Sequence, residues 1–272
     1  DGLWVHRGTT GSLGNESCSL LEQLIRPLRP SEFLREYFHR KALVLNCIEG
    51  GARHVQALAD ELLHGLDVES LLANTASDSI FVWVVDPASG KIRSIEIQDA
   101  VSAHHLFLAG HSTYCRAPKQ AEDVLVGRLL SDVGMGLPAV PVNTSDVSRG
   151  EVELFCSRAG HATDWHIDFQ ENFTVQLSGR KRWKLRSSGV AHPLRGCTPH
   201  FLDPSVVEKQ VKVHKLAAPS FRFNPGLEQS GDFEECTLGP GDVLYHPAGV
   251  WHRCEAMEDS VSISEYWCCG WV

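Results

Sequence analysis

The sequence predicts a mainly β protein, with an antiparallel sandwich, jelly roll or barrel in the C-terminal half and helices in the N-terminal half. Three observations predict it. Beyond Gly134 the chain breaks into short apolar runs punctuated by Gly and Pro, the pattern of an antiparallel all-β unit. Before Gly134, apolar residues recur at helical spacing in several stretches. The 272 residues are 43% hydrophobic and 22% charged, which excludes disorder, collagen and coiled coil as the main character and leaves enough chain for a large core.

Taken in order, residues 1–20 are rich in Gly, Ser and Thr without periodicity and read as a flexible lead-in. Residues 21–140 read as a helix-rich part packed on a β core that fills 141–272. Pro30-Ser31 opens a helix carrying Phe33, Leu34, Tyr37 and Phe38, with Ser31 as its expected N-cap. Leu43-Val44-Leu45 follows as a short buried strand. Residues 55–72 have helical spacing at Leu58, Leu62, Leu63 and Leu66, interrupted by Gly65. Residues 80–85 are β-rich and end in a turn at Asp86-Pro87. Residues 119–133 return to helical spacing through Val124, Leu125, Leu129 and Leu130. Pro138 and Pro141 then break the chain, and strands are expected at 152–156, 172–177, 182–185, 206–213, 243–245 and 261–267.

Charge and cysteine usage narrow the function classes. The net charge is −9, from 25 basic and 34 acidic residues, a poor start for nucleic-acid binding, which works by neutralising phosphates. No apolar run approaches the ~18–20 residues of a membrane span. The chain opens Asp1-Gly2 without Met and reads as a fragment. Nine Cys without a C-x-x-C suggest neither a disulfide framework nor a zinc ribbon, and read as reduced thiols of a cytoplasmic or nuclear protein. Walker-type, H-E-x-x-H and G-x-S-x-G signatures are absent from the sequence.

Two segments carry chemistry. The first is Thr163-Asp164-Trp165-His166-Ile167-Asp168, followed by Asn172 and by Gly179-Arg180-Lys181-Arg182-Trp183. On a strand, residues i and i+2 share a face, so His166 and Asp168 present an imidazole and a carboxylate side by side. One further His completes a 2-His-1-carboxylate face, diagnostic of non-haem Fe(II) oxygenases. The second segment, Gly241-Asp242 through Pro247-Ala248-Gly249 to Trp251-His252, is a turn that delivers such a histidine from a strand end. The Trp251 ring is expected to wall the pocket.

With these motifs in place, the sequence resembles the JmjC and cupin-type 2-oxoglutarate oxygenases over roughly residues 21–267. "PSEFLREYFHRKALVL" and "SGRKRWKL" are most similar to the ribosomal-oxygenase branch and related asparagine or lysine hydroxylases. The resemblance implies a double-stranded β-helix core at 141–272, the jelly-roll form of the cupin/JmjC fold, with flanking helices. It implies His166, Asp168 and His252 as iron ligands. It also implies Lys181 as the partner of the distal carboxylate of 2-oxoglutarate, Thr163 as a hydroxyl on that carboxylate, and Asn172 as an active-site amide. The implied cofactors are Fe(II), 2-oxoglutarate as co-substrate, and O2; the implied activity is hydroxylation of a protein side chain with release of succinate and CO2. An N-methyl-lysine demethylase, an RNA-modifying oxygenase and a non-catalytic metal-binding cupin module share the fold and stay open. A protein or peptide is the favoured partner, RNA is disfavoured by the charge, no membrane is involved, and the oligomeric state is unassigned.

Other residues read more plainly. His161 lies at an odd offset from His166 and suits a loop or structural role. His246, six residues before His252 across the Pro247–Gly249 bend, can face either way and is not read as a ligand. His104, His105 and His111 suit the surface or a satisfied core position. In the basic run 180–186, strand alternation puts Lys181 inward and the other charges in solvent. Asn15, Asn143 and Asn172 head N-x-S/T triplets by coincidence.

Overall fold

Strands of alternating polarity bury one face each, and here they assemble into two facing sheets. The computed structural model describes residues 4–7, 19–46, 67–89, 92–134, 150–168, 170–187, 205–220, 222 and 233–267. The N-terminal part contributes β1 (Trp4–Arg7), α1 (Leu20–Ile25), α2 (Pro30–Glu36), β2 (Leu43–Asn46), α3 (Val68–Ala73), β3 (Ile80–Val85), β4 (Ile92–Ile97), α4 (Ala100–Leu108), β5 (Ser112–Arg116) and α5 (Lys119–Asp132). The rest supplies β6 (Gly150–Ser157), β7 (His166–Ile167), β8 (Glu171–Ser178), β9 (Lys181–Arg186), α6 (Ser205–Ala217), β10 (Glu234–Leu238), β11 (Val243–His246), β12 (Trp251–Ala256) and β13 (Ser260–Trp267).

The larger sheet has the order β1-β2-β11-β8-β13-β6-β5-β3-β4, and the smaller β10-β9-β12-β7. From β6 onward the chain crosses repeatedly between the two sheets, which is the winding of a jelly roll. The mainly β, double-stranded β-helix expectation is therefore met. Val44 and Leu244 of the larger sheet pack with Trp183, Leu185 and Leu238 of the smaller, so the sheets face each other. On the outer face of the larger sheet, Phe173, Val175, Val152, Leu154 and Tyr245 pack under Leu21, Ile25 and Phe33 of α1 and α2 and Leu125 and Leu129 of α5.

Several expectations need correction. The lead-in contains a strand: β1 runs parallel to β2, Trp4 opposite Leu43, a pairing of backbones that needs no apolar periodicity. Ser31 lies inside α2; Arg29 is the cap residue and Pro30 the first helical position, where its missing N–H costs nothing. Of the helix expected at 55–72, the described part is α3, capped by Asp67, whose carboxylate accepts from Ser70 N; residues 51–66 lie outside the described residues. The strand expected at 206–213 is helix α6. Its valines suggest a strand, but the buried residues Gln210 and His214 stand four apart, on one helical face. β4, α4, β5, β10 and β12 were not anticipated. β4 (Ile-Arg-Ser-Ile-Glu-Ile) lies at an edge with no buried residue and its isoleucines do not alternate strictly, and β10 reads Glu-Glu-Cys-Thr-Leu, so neither carries the pattern of a buried strand.

One glycine fixes how β9 enters the interior. Gly179, in the β8–β9 turn, has φ +64°, and a Cβ there would overlap the carbonyl oxygen of Asp259 in the β12–β13 turn. Gly179→Ala is expected to lower stability by more than about 1 kcal/mol, read as a fall in the urea midpoint.

Candidate metal centre

The centre begins with a two-residue strand. β7 pairs antiparallel with β12, setting His252 opposite His166 and Trp251 opposite Ile167. The two imidazoles lie with ring centroids 4.1 Å apart. Asp168 follows two residues after His166, and its Oδ2 stands 3.5 Å from His252 Nε2. One ligand atom from each of His166, Asp168 and His252 falls within 4.8 Å of the others, the one such His/Cys/Asp/Glu group found among the described residues.

Backbone carbonyls orient the rings. His166 Nδ1 meets Asp164 O at 2.7 Å and His252 Nδ1 meets Val250 O at 3.0 Å. With each Nδ1–H donating, each Nε2 keeps its lone pair for a metal. Burial, with His166 and His246 nearby, pushes His252 well below the usual imidazole range, so it is neutral, as a ligand must be. Burial raises the Asp168 carboxyl, only partly offset by His166. A buried carboxylate beside a neutral His252 calls for a cation.

The second histidine is delivered by a braced bend. Gly249 has φ +81°, and its N–H donates to Asp168 O at 2.8 Å, tying the bend to the other ligand segment. Behind it, buried Glu171 accepts from Tyr245 OH and from Ala248 N (3.3 Å), while His39 Nδ1 lies 3.0 Å away. α6 braces the opposite edge of β7. The Gln210 amide donates to Ile167 O at 3.1 Å and accepts from Ile167 N at 3.3 Å, doing what a neighbouring strand would do. Trp251 Nε1 donates to His214 Nδ1 at 2.8 Å. Trp251 therefore does not wall the pocket. As the neighbour of inward His252 it faces the other way, packing with Trp165 and Ile167 under α6.

The other sequence candidates line the space between the sheets. Lys181 is 2% exposed; its Nζ donates to Ser262 Oγ at 2.8 Å and lies 5.4 Å from the Phe155 ring centroid. Burial lowers its pKa, and among the described residues no ion pair to a carboxylate is recorded for it. Thr163 is pinned to β12: its hydroxyl accepts from Cys254 N at 3.1 Å. Asn172 is buried on β8, its Oδ1 accepting from Thr174 Oγ1, which in turn meets Ser264 Oγ at 2.9 Å. The basic run alternates as expected: Lys181, Trp183 and Leu185 are buried, while Arg180 pairs with Glu258 at the surface.

His161 is no ligand; it stacks on Trp83 at 4.8 Å, in a row with Tyr114 and Phe155. Burial, then the Lys181 charge, bring its pKa down to about 4. His246 is fully buried with its ring 4.4 Å from His252, which alternation with outward Tyr245 predicts once the strand is known to reach residue 246. Gln210 was missed because its stretch was read as strand. Four described cysteines are free, and burial lifts Cys115, Cys156 and Cys236 to about 12.

The chain is similar in sequence and fold to known proteins. The description "Cupin-like domain" matches residues 108–268. Lysine-specific demethylase 8 of Xenopus tropicalis is 26% identical over 163 residues, 59% of this chain and 32% of the relative. Human 2-oxoglutarate and iron-dependent oxygenase JMJD4 is 25% identical over 122 residues, 43% of this chain and 27% of the relative. YcfD, a ribosomal oxygenase from Escherichia coli solved with cobalt and 2-oxoglutarate, superposes with TM-score 0.50 at 17% identity, covering 90% of this chain and 53% of that one. The chain thus spans about a third of the length of the curated relatives it matches.

Two outcomes are expected here. Gln210→Leu removes the brace on β7 and should weaken Co(II) binding about tenfold while leaving the circular dichroism spectrum unchanged. His161 takes a proton in the unfolded chain below about pH 6.5 but in the folded protein only near pH 4, so its contribution to stability is present above pH 6.5 and lost as pH falls toward 4. His161→Phe should therefore flatten the loss of urea-unfolding stability between pH 7 and pH 5.

Proposed function

Because the chain belongs to the cupin-like domain family, whose match spans more than half of it, we propose that it is an Fe(II)- and 2-oxoglutarate-dependent oxygenase that hydroxylates a protein side chain. The observation that carries this reading is Lys181. A fully buried ammonium is costly unless an anion meets it, and here its recorded partners are a hydroxyl and a ring. A module that only held a metal has no need of such a group, whereas a dicarboxylate co-substrate supplies the missing charge.

His166, Asp168 and His252 would hold the iron, two neutral nitrogens and one carboxylate on one face, leaving the opposite positions for exogenous ligands. Iron bound there supplies the oxidising chemistry, driven by conversion of 2-oxoglutarate and O2 to succinate and CO2. The chain's own residues do the rest. Lys181 and Ser262 fix the far carboxylate, Thr163 keeps β12 in register with the ligand segment, and Asn172 offers an amide on the inward face of β8. The buried interior excludes water from the reacting carbon. A protein substrate is supported by relatives named for lysine demethylation and oxygenation, and the net charge of −9 disfavours RNA.

Anaerobic addition of Fe(II) and then 2-oxoglutarate should produce a visible charge-transfer band that requires both. His166→Ala should abolish it, and Lys181→Ala should raise the 2-oxoglutarate needed at least tenfold while metal binding persists. Tight iron binding without the band would refute the oxygenase reading. With peptide substrates, gain of one oxygen by mass spectrometry is the expected product, and loss of a methyl group would reassign the protein as a demethylase.

A further inference from the structure

His246 is the one histidine at the centre to which neither the ligand set nor the co-substrate anchor gives a role. β11 places it inward. Leu244, two residues earlier on the same face, packs with Trp183 and Leu185 between the sheets, whereas Tyr245 turns outward against Phe33 and Phe173. The side chain is 0% exposed and its ring lies 4.4 Å from that of His252. Among the described residues neither ring nitrogen has a hydrogen-bond partner. The neighbouring Pro247 carbonyl lies near the ring but outside hydrogen-bond geometry, so it does not take the ring N–H.

The position of His246 in the interior says what it faces. It is not part of the close-set ligand group of His166, Asp168 and His252, so it stands beside the metal position rather than in it. On β8, Asn172 lies opposite His246, while Gln176 lies opposite Ser262, the partner of Lys181. Four residues of strand, about 13 Å, therefore separate the backbone at the His246 end from the backbone at the Lys181 end. An elongated dianion held by Lys181 at one carboxylate, with the metal position at its other end, would present its metal-side oxygens to the His246 end. An imidazole always carries at least one N–H, and a buried N–H needs an acceptor.

We propose that His246 is a binding residue for the co-substrate, its ring N–H donating to an oxygen of the metal-chelating end of the bound 2-oxo acid. This rests on the oxygenase reading above. The test is anaerobic titration of the whole chain with Fe(II), then 2-oxoglutarate, followed by visible absorption, with His246→Leu, His246→Phe and His246→Asn beside the parent. His246→Leu is expected to bind Fe(II) within about twofold of the parent, to need about tenfold more 2-oxoglutarate, and to show a displaced charge-transfer band. His246→Asn, which keeps an N–H donor, should recover most of the affinity and band position. If His246→Leu does not fold, His246→Phe, which retains the ring and lacks the N–H, is read the same way. Unchanged 2-oxoglutarate affinity and band in the variants lacking the donor would overturn the assignment in favour of a structural histidine satisfied by water. A tenfold or larger loss of Fe(II) affinity with 2-oxoglutarate binding to the loaded protein intact would overturn it in favour of a metal ligand. A parent protein without any band would instead refute the oxygenase reading, and this assignment with it.

Discussion

Everything at the centre depends on the register that sets His252 opposite His166. A slip of β7 by one residue would turn His166 out of the interior and bring Ile167 in, away from the inward face of His252. β7 is too short to secure that register by itself. The bond from Gly249 N to Asp168 O, the Gln210 amide on Ile167 and the pairing of β12 with β9 along Lys181–Arg186 hold it from three sides. The candidate ligands are thus placed by tertiary contacts, from segments about 85 residues apart in sequence, rather than by local structure.

The interior between the sheets is divided by polarity. Val44, Leu244, Trp183 and Leu185 form a dry side. Asn172, Thr174, Ser262 and Ser264, with Lys181, form a buried hydrogen-bonding side. Such polar groups are tolerated in a core when they satisfy one another or await a ligand. Thr174, Asn172 and Ser264 satisfy one another. Among the described residues Lys181 and His246 have capacity left over, at opposite ends of the same space, and the proposed co-substrate site rests on that surplus.

The sequence made the chemistry more legible than the architecture around it. His166 and Asp168 could be paired by the two-residue period of a strand, and the Pro247–Gly249 bend announced the delivery of His252. The inward direction of Lys181 followed from alternation along 180–186, and its role as an anchor from the family resemblance alone. What escaped was of a different kind. Gln210 and His214 act through a helix whose valines mimic a strand, and their partners, Ile167 and Trp251, lie some forty residues away in sequence. Trp251 was expected in the pocket wall, but β12 begins at Trp251 itself, so alternation turns it away from the face of His252. His246 lacked a determinate face because the Pro247–Gly249 bend was taken to suspend alternation. Local periodicity reports which face a residue takes within an element, but an element's limits are set by contacts with other elements.

The Gln210 brace has a thermodynamic corollary. Ile167 sits between His166 and Asp168, so docking of α6 and organisation of the two ligands are one event. Linkage makes such a coupling reciprocal: whatever free energy the docked helix would lend to ion capture at the candidate centre, a captured ion would return to the docking of the helix. A helix remote from the candidate ligands in sequence would thereby be a part of the fold whose stability reports occupancy of the centre.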